Sequence, residues 1–380
     1  MGVYLDNNAT SPMDPKVLES MRPFFLNQFG NASSIHALGQ DARSAVEIAR
    51  SEVAKLLGAR PREIVFTSGG TEADNSAILG VARRFWNKPA HIVTSSLEHP
   101  AVLKTCDVLR GWGIDVTFLP GSPDGLVSVE QVESALRNET VLISIMCINN
   151  EVGTIQPIEQ IGQLAKRHGV LFHTDAVQAV GKIDVDVRQL GVDLLALSGH
   201  KFHGPKGVGV LFIRDSVNLA PFLLGGSHER QRRAGTENVP GIVGLGEACH
   251  LARSRLGEMS QVRLLRDRLE KGLLEQIKGA KVNGDTDQRC PHTTNISFSG
   301  VEGEALLIAL DFKGISVSTG AACASGSLEP SHVLQSMKMS EDRIKGAIRF
   351  SLSRMTKHEE IDYALQVIPE TVDRIRQVGL

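Results

Sequence analysis

Between residues 60 and 213, short β-branched and apolar runs alternate with amphipathic helical patterns. The runs are EIVFTS (63–68), HIVTSS (91–96), DVTFLP (115–120), VLISIM (141–146), VLFHTD (170–175), LLALS (194–198) and VGVLFI (208–213). Runs this short, apolar at successive positions, suit strands buried on both faces. Stretches such as EADNSAILGVARRF and IEQIGQLAKRHG fill the gaps with helical periodicity. The alternation predicts an α/β fold with a mostly parallel seven-stranded sheet covered by helices. Nine residues separate the last two runs, too few for a helical crossover, so that pair is predicted antiparallel. A long charged helix near 260–278 then leads into a smaller α+β unit, with TTNISFS as a strand and EGEALLIALDF as a helix.

Composition narrows the function classes. The 380 residues suffice for two domains, and 42% hydrophobic with 22% charged residues is a globular balance. A net charge of -2 gives no electrostatic case for nucleic acid or an anionic membrane. No apolar run reaches the length of a membrane span, and MGVYLDNNAT lacks a basic start and an apolar core, so a cytoplasmic protein is expected. Cys106, Cys147, Cys249, Cys290 and Cys323 stand far apart, which is the pattern of free thiols rather than of a disulfide framework or zinc knuckle.

In an open α/β sheet, ligands bind beyond the carboxyl ends of the parallel strands. Gly69, Gly70 and Thr71 follow the first run and open into a helix, a geometry that admits an anion to backbone N–H groups. His99 follows the second run, Asn149 and Asn150 the fourth, Asp175 and Gln178 the fifth, and Ser198, His200 and Lys201 the sixth. Singly, each has a structural explanation, Asp175 as a helix cap and the asparagines as turn formers. Their gathering at one sheet edge calls for more. A zinc site built from His99, Asp175, His200 and His203 would set Lys201 against the metal and leave the anion cradle idle. There is no Walker lysine and no G-x-G-x-x-G. A lysine, an aspartate, an aromatic-like histidine and an anion cradle suit pyridoxal phosphate.

The chain resembles the cysteine desulfurases of the NifS/IscS-like branch of the pyridoxal-phosphate-dependent, fold-type I, class V aminotransferases. The motifs carrying the likeness span nearly its whole length: YLDNNAT (4–10), FGNASSIH (29–36), FTSGGTEADN (66–75), EHPAV (98–102), NNEVGTIQPI (149–158), HTDAVQAVGK (173–182), SGHKFHGPKGVGVL (198–211), RRAGTENV (232–239), STGAACASGSLEPSHVL (318–334) and IRFSLSR (348–354). The resemblance implies an N-terminal segment (1–15) packed on the small domain, a large cofactor-binding domain (16–260) and a small C-terminal domain (261–380) carrying a catalytic cysteine loop.

By the same resemblance, Lys201 is the lysine that joins the cofactor covalently. Gly70, Thr71, Ser198, Gly199 and His200 hold its phosphate, Asp175 faces the ring nitrogen, and His99 stacks on the ring and takes part in catalysis. Gln178 and Asn149 lie by its phenolic oxygen, and Arg349 with Asn149 binds the substrate carboxylate. Thr236 reaches the phosphate of the partner subunit, which implies a homodimer. Cys323, in TGAACASGS, is the nucleophile that takes sulfur from L-cysteine, leaving alanine and a persulfide. An iron–sulfur scaffold or another acceptor protein receives the sulfur. No intrinsic metal is implied, although the Cys323 persulfide could transiently ligate an iron–sulfur cluster. The chain departs from its relatives at Ala321, often serine, at Cys147, often tryptophan, and at Gln231. A selenocysteine or cysteine lyase on the same scaffold would not need Cys323, and a non-catalytic sulfur carrier would not need Lys201 and Asp175.

Overall fold

The computed structural model describes residues 2–319 and 330–378. Each of the seven runs forms a strand of one sheet: β2 (Ile64–Thr67), β3 (His91–Ser95), β4 (Asp115–Leu119), β5 (Thr140–Ser144), β6 (Leu171–Asp175), β7 (Leu194–Ser198) and β8 (Gly209–Ile213), with β1 (Val3–Tyr4) lying outside it. The order is β2-β8-β7-β6-β5-β3-β4. Strand β8 runs antiparallel to β7 and β2, as the short connection requires, and the other pairings are parallel.

Helices cover both faces. They are α1 (Pro15–Leu26), α2 (Ala37–Leu57), α3 (Gly70–Ala82), α4 (Pro100–Gly111), α5 (Val129–Ala135), α6 (Ile158–His168) and α7 (Val239–Ser254). Successive residues of a strand point to opposite faces. Leu195 and Leu197 of β7 therefore pack with Val53 of α2, Leu164 of α6 and Leu245 of α7. Leu194 and Ala196 pack on the opposite side with Ala77 and Ile78 of α3 and Leu109 of α4. Burial of both faces explains why the runs are continuously apolar and do not alternate.

Beyond α8 (Met259–Gln276), strands β9 (Ala280–Asn283) and β10 (Thr293–Phe298), helix α9 (Gly303–Asp311) and strand β11 (Ile315–Ser316) follow. After residue 330 come α10 (His332–Ser336), α11 (Glu341–Lys345), β12 (Ala347–Ser351) and α12 (His358–Val378). An antiparallel sheet of order β12-β10-β9 shares a separate core with α8, α9 and α12. Phe298 and Phe350 meet there edge to face at 6.5 Å. Val3 and Leu5 belong to the same core, and β1 pairs in parallel with β11. No helix among the described residues is long and apolar enough to cross a membrane.

The chain leaves β3 outward to β4 and returns to β5 on the other side of β3. That reversal opens a crevice at the carboxyl ends of the strands, where α/β sheets take ligands.

Candidate active site

A cavity of about 580 Å³ occupies this edge, a volume suited to a cofactor-sized molecule. His99, Asp175, Ser198, His200 and Lys201 line it from the strand ends, and Gly70 and Thr71 from the start of α3. Arg349 enters from β12, and Asn8 and Ala9 from the N-terminal segment.

Helix α3 begins without a side-chain cap, because its N-cap is Gly69. The first N–H groups of a helix have no intrahelical acceptor, so this end is open to an anion. A Cβ at Gly70 would meet Val177 Cγ2 at 2.7 Å, so glycine lets the helix start sit close to Val177 without displacing it. Ser198 ends β7, and the single turn Gly199–Lys201 carries His200 and Lys201 to the rim. The ammonium of Lys201 donates to the carbonyls of Asn8 (2.6 Å) and Ala9 (3.0 Å). Burial, with Lys201, Lys206 and Lys182 nearby, drops the His200 pKa to about 4, so the ring is neutral.

Asp175 ends β6, with one oxygen taking the N–H of Val177 at 2.9 Å. Burial pushes its pKa up to about 6, opposed by that N–H and by the Lys201 ammonium. A cationic ring nitrogen would favour the ionised form further. His99 caps α4, its Nδ1 accepting the N–H of Ala101 at 3.1 Å. Burial, then the charges of Lys201 and His332, bring its pKa down to about 4. The ring is therefore neutral, with its proton on Nε2.

Arg349 is held from two sides. One nitrogen donates to the carboxylate of Asp6 at 2.7 Å and the other to the carbonyl of Asn150 at 3.0 Å. Its Nε has no hydrogen-bond partner among the described residues. Asp6 and Asn8 escaped the sequence reading because they lie more than 340 residues from the β12 residues they touch. Asn8 is a hub. Its carbonyl takes Lys201 and Gln178, and its side chain holds Thr293 and His292.

Several expected contacts fall elsewhere. Asn149 is fully buried and does not line the cavity. Its Oδ1 takes the N–H groups of Glu151 and Val152, and its Nδ2 donates to the carbonyl of Leu97. Its neighbour Asn150 lines the cavity instead. Gly199 also stays off the wall, and its N–H donates to the carbonyl of Val208 at 3.1 Å. Gln178 lines the cavity, but its amide is spent on Asn8 and on the Lys182 ammonium. Thr236 is exposed and borders a separate depression by Ser68 and Gly207. His203 turns to the carbonyl of Pro12 and away from the other zinc candidates. Cys323 and Ala321 lie outside the described residues.

The residues fit pyridoxal phosphate: an uncapped helix start for a phosphate, a buried carboxylate with an oxygen to spare, an amine, and a neutral histidine between them. The sequence matches the aminotransferase class-V family over residues 3–364. The chain is 51% identical to cysteine desulfurase IscS of Methanosarcina thermophila, over 99% of this chain and 93% of that protein. It is 47% identical to the protein of the same name from Dictyoglomus turgidum, over 99% and 96%. Among solved structures, a NifS-like protein superposes with a TM-score of 0.93 at 40% identity, covering 98% of this chain and all of that one. SspA in complex with cysteine superposes at 0.84 with 38% identity, over 93% of this chain and all of its own. This chain belongs to the class-V aminotransferase family, and within it to the cysteine desulfurases.

Proposed function

We propose that this protein binds pyridoxal phosphate in the 580 Å³ cavity and removes sulfur from L-cysteine, giving L-alanine and a persulfide on Cys323. The observation that carries the reading is the meeting of Lys201, Asp175 and the α3 terminus with Arg349 at one cavity. When bound, the cofactor supplies an aldehyde for amines and a ring that accepts electrons from Cα.

The chain's own residues do the rest. Gly70, Thr71, Ser198 and His200 take the phosphate, and Asp175 keeps the ring nitrogen protonated. Neutral His99 would stack on the ring. Arg349 grips the substrate carboxylate, and Lys201, once released, carries the proton at Cα. The Cys323 thiolate attacks the substrate sulfur. A sulfur–sulfur bond forms, the Cβ–S bond breaks, and Cβ takes up a proton. An iron–sulfur scaffold or another acceptor protein collects the sulfur in the cytoplasm. Thr236 faces away from its own cavity, which suits a homodimer in which it reaches the partner's phosphate. The deciding experiment supplies L-cysteine and measures alanine and protein-bound persulfide together. Equal amounts in the first turnover support the reading, and alanine without persulfide refutes it.

Two neighbouring asparagines separate cavity from scaffold. Asn150→Ala is expected to weaken kcat/KM for L-cysteine by about 2- to 10-fold, the worth of one hydrogen bond, with Tm unchanged. Asn149→Ala strands two N–H groups and a carbonyl, so it is expected to lower Tm, at about 1–3 kcal/mol per buried group. Kinetics and thermal melts of both variants check the pair.

Arg349→Ala removes a charge-assisted fork, and such bonds contribute about 1.5–3 kcal/mol. The expected loss in kcat/KM is about 10- to 150-fold, carried by KM, with cofactor colour retained. Arg349→Lys should recover only part, because an ammonium cannot form two parallel bonds. Normal kcat/KM, or loss of cofactor, would make Arg349 structural.

A further inference from the structure

Beneath the cavity floor lies a polar pair that the reaction above does not use. Asp74 sits on α3, one turn beyond Gly70, and lines the cavity. His173 sits on β6 two residues before Asp175, so both side chains leave the same face of the strand. Asp74 Oδ1 and His173 Nε2 are 3.5 Å apart, with side chains 2% and 0% exposed. Neither atom has a hydrogen-bond partner of its own among the described residues. The other ring nitrogen, Nδ1, lies 2.9 Å from Ser144 Oγ.

Two proton arrangements satisfy this geometry. In the first, ionised Asp74 accepts from Nε2–H and Ser144 donates to Nδ1. In the second, Asp74 is protonated and donates to Nε2, while Nδ1–H donates to Ser144. The surroundings favour the second. Asp175 on β6 and Glu98 after β3 are the carboxyl groups facing Asp74, Cys106 on α4 faces Glu98, and the Lys201 ammonium and the neutral ring of His99 lie across the cavity. Lys104, which is exposed, and Arg349 also line the cavity, but the charges that act on Asp74 are the two carboxyl groups, and Lys201 acts on Asp175. Burying three carboxylates together is costly. Burial and the two acids hold the Asp74 pKa well above the usual range, and burial alone brings that of His173 down to about 3. Burial likewise raises Glu98 to about 8, against hydrogen bonds from Ser95 and Met146.

We propose that Asp74 and His173 are positioning residues forming a neutral hydrogen-bonded pair, acid O–H to Nε2, which leaves Asp175 as the single anion beneath the cofactor ring. The inference rests on the cofactor reading of the cavity, so its first test uses the cofactor-free chain. Nitrogen NMR of the ¹⁵N-histidine-labelled protein, with the His173 signal identified by its loss in His173→Gln, reads the tautomer directly. A neutral ring protonated on Nδ1, constant from about pH 6 to about pH 9, is the expected result. An Nε2-protonated ring or an imidazolium would overturn the proposal.

The second test uses Asp74→Asn, whose amide is also neutral and also donates to Nε2. It is expected to preserve the tautomer and to change the dissociation constant of pyridoxal phosphate by no more than about twofold. A loss beyond about tenfold would mean that Asp74 works as an anion, and would equally overturn the pair. Failure of the unaltered protein to bind pyridoxal phosphate would defeat the cofactor reading and leave the tautomer result standing.

Discussion

Lys201→Ala is expected to abolish turnover of L-cysteine while leaving a protein that still takes up pyridoxal phosphate. The side chain projects from a single turn at the end of β7. Its ammonium donates to the carbonyls of Asn8 and Ala9, which the cavity can hydrate once the ammonium is gone. The proposed phosphate contacts at the α3 terminus, Ser198 and His200 would be untouched, as would Asp175. Two chemical functions are lost together: the covalent tie to the cofactor and the amine that moves the proton at Cα. A positioned acid–base group alone contributes about 10²- to 10⁴-fold, so a fall of about 10³-fold or more is expected. The measurements are the visible spectrum of the resting protein and the rate of alanine release. The spectrum should lose the band of lysine-bound cofactor and keep that of free cofactor. An unchanged spectrum with undiminished alanine release would remove Lys201 from the mechanism.

The sheet was legible in the sequence because all its strands except the edge strand β4 are buried on both faces, so they stand out as short apolar runs between helical patterns. The antiparallel placement of β8 was legible from connection length alone. The large-domain side of the site could be read for a related reason: in a parallel sheet, strand ends converge on one edge, so His99, Asp175, Ser198 and Lys201 are brought together by topology. What stayed hidden depends on side-chain direction or on distant pairing. Motif likeness cannot say which of two adjacent asparagines faces a cavity. In the folded chain, Asn149 closes the turn that carries Asn150 to the wall. The ion pair of Asp6 with Arg349 joins the two ends of the chain, a contact no local pattern encodes. Asp74 reads in TEADN as one more polar residue near a helix start, although its carboxyl points inward to His173.

The second large effect concerns the thiol. Cys323→Ser is expected to bind L-cysteine and change the colour of the cofactor, yet to form no persulfide and release no sulfane sulfur. A thiol must ionise to attack sulfur, and apolar burial opposes ionisation. Cys106, Cys147, Cys249 and Cys290 are all buried. Burial, reinforced by Glu98, pushes the Cys106 thiol up to about 12, and burial with Asp175 does the same to Cys147. Cys249 is raised further by burial and Glu52. Cys147, at the end of the strand beside the cavity, comes nearest to a rival, but a group with that pKa is about one part in 10⁵ thiolate at neutral pH. Serine at position 323 keeps the size of the side chain and removes only the thiol proposed as the nucleophile. Persulfide labelling after exposure to L-cysteine, read with cofactor absorbance, should therefore vanish in Cys323→Ser and persist when each of the other four is changed to serine. Labelling that survives in Cys323→Ser and disappears in Cys147→Ser would transfer the nucleophile to the strand end, and the burial argument would fail with it.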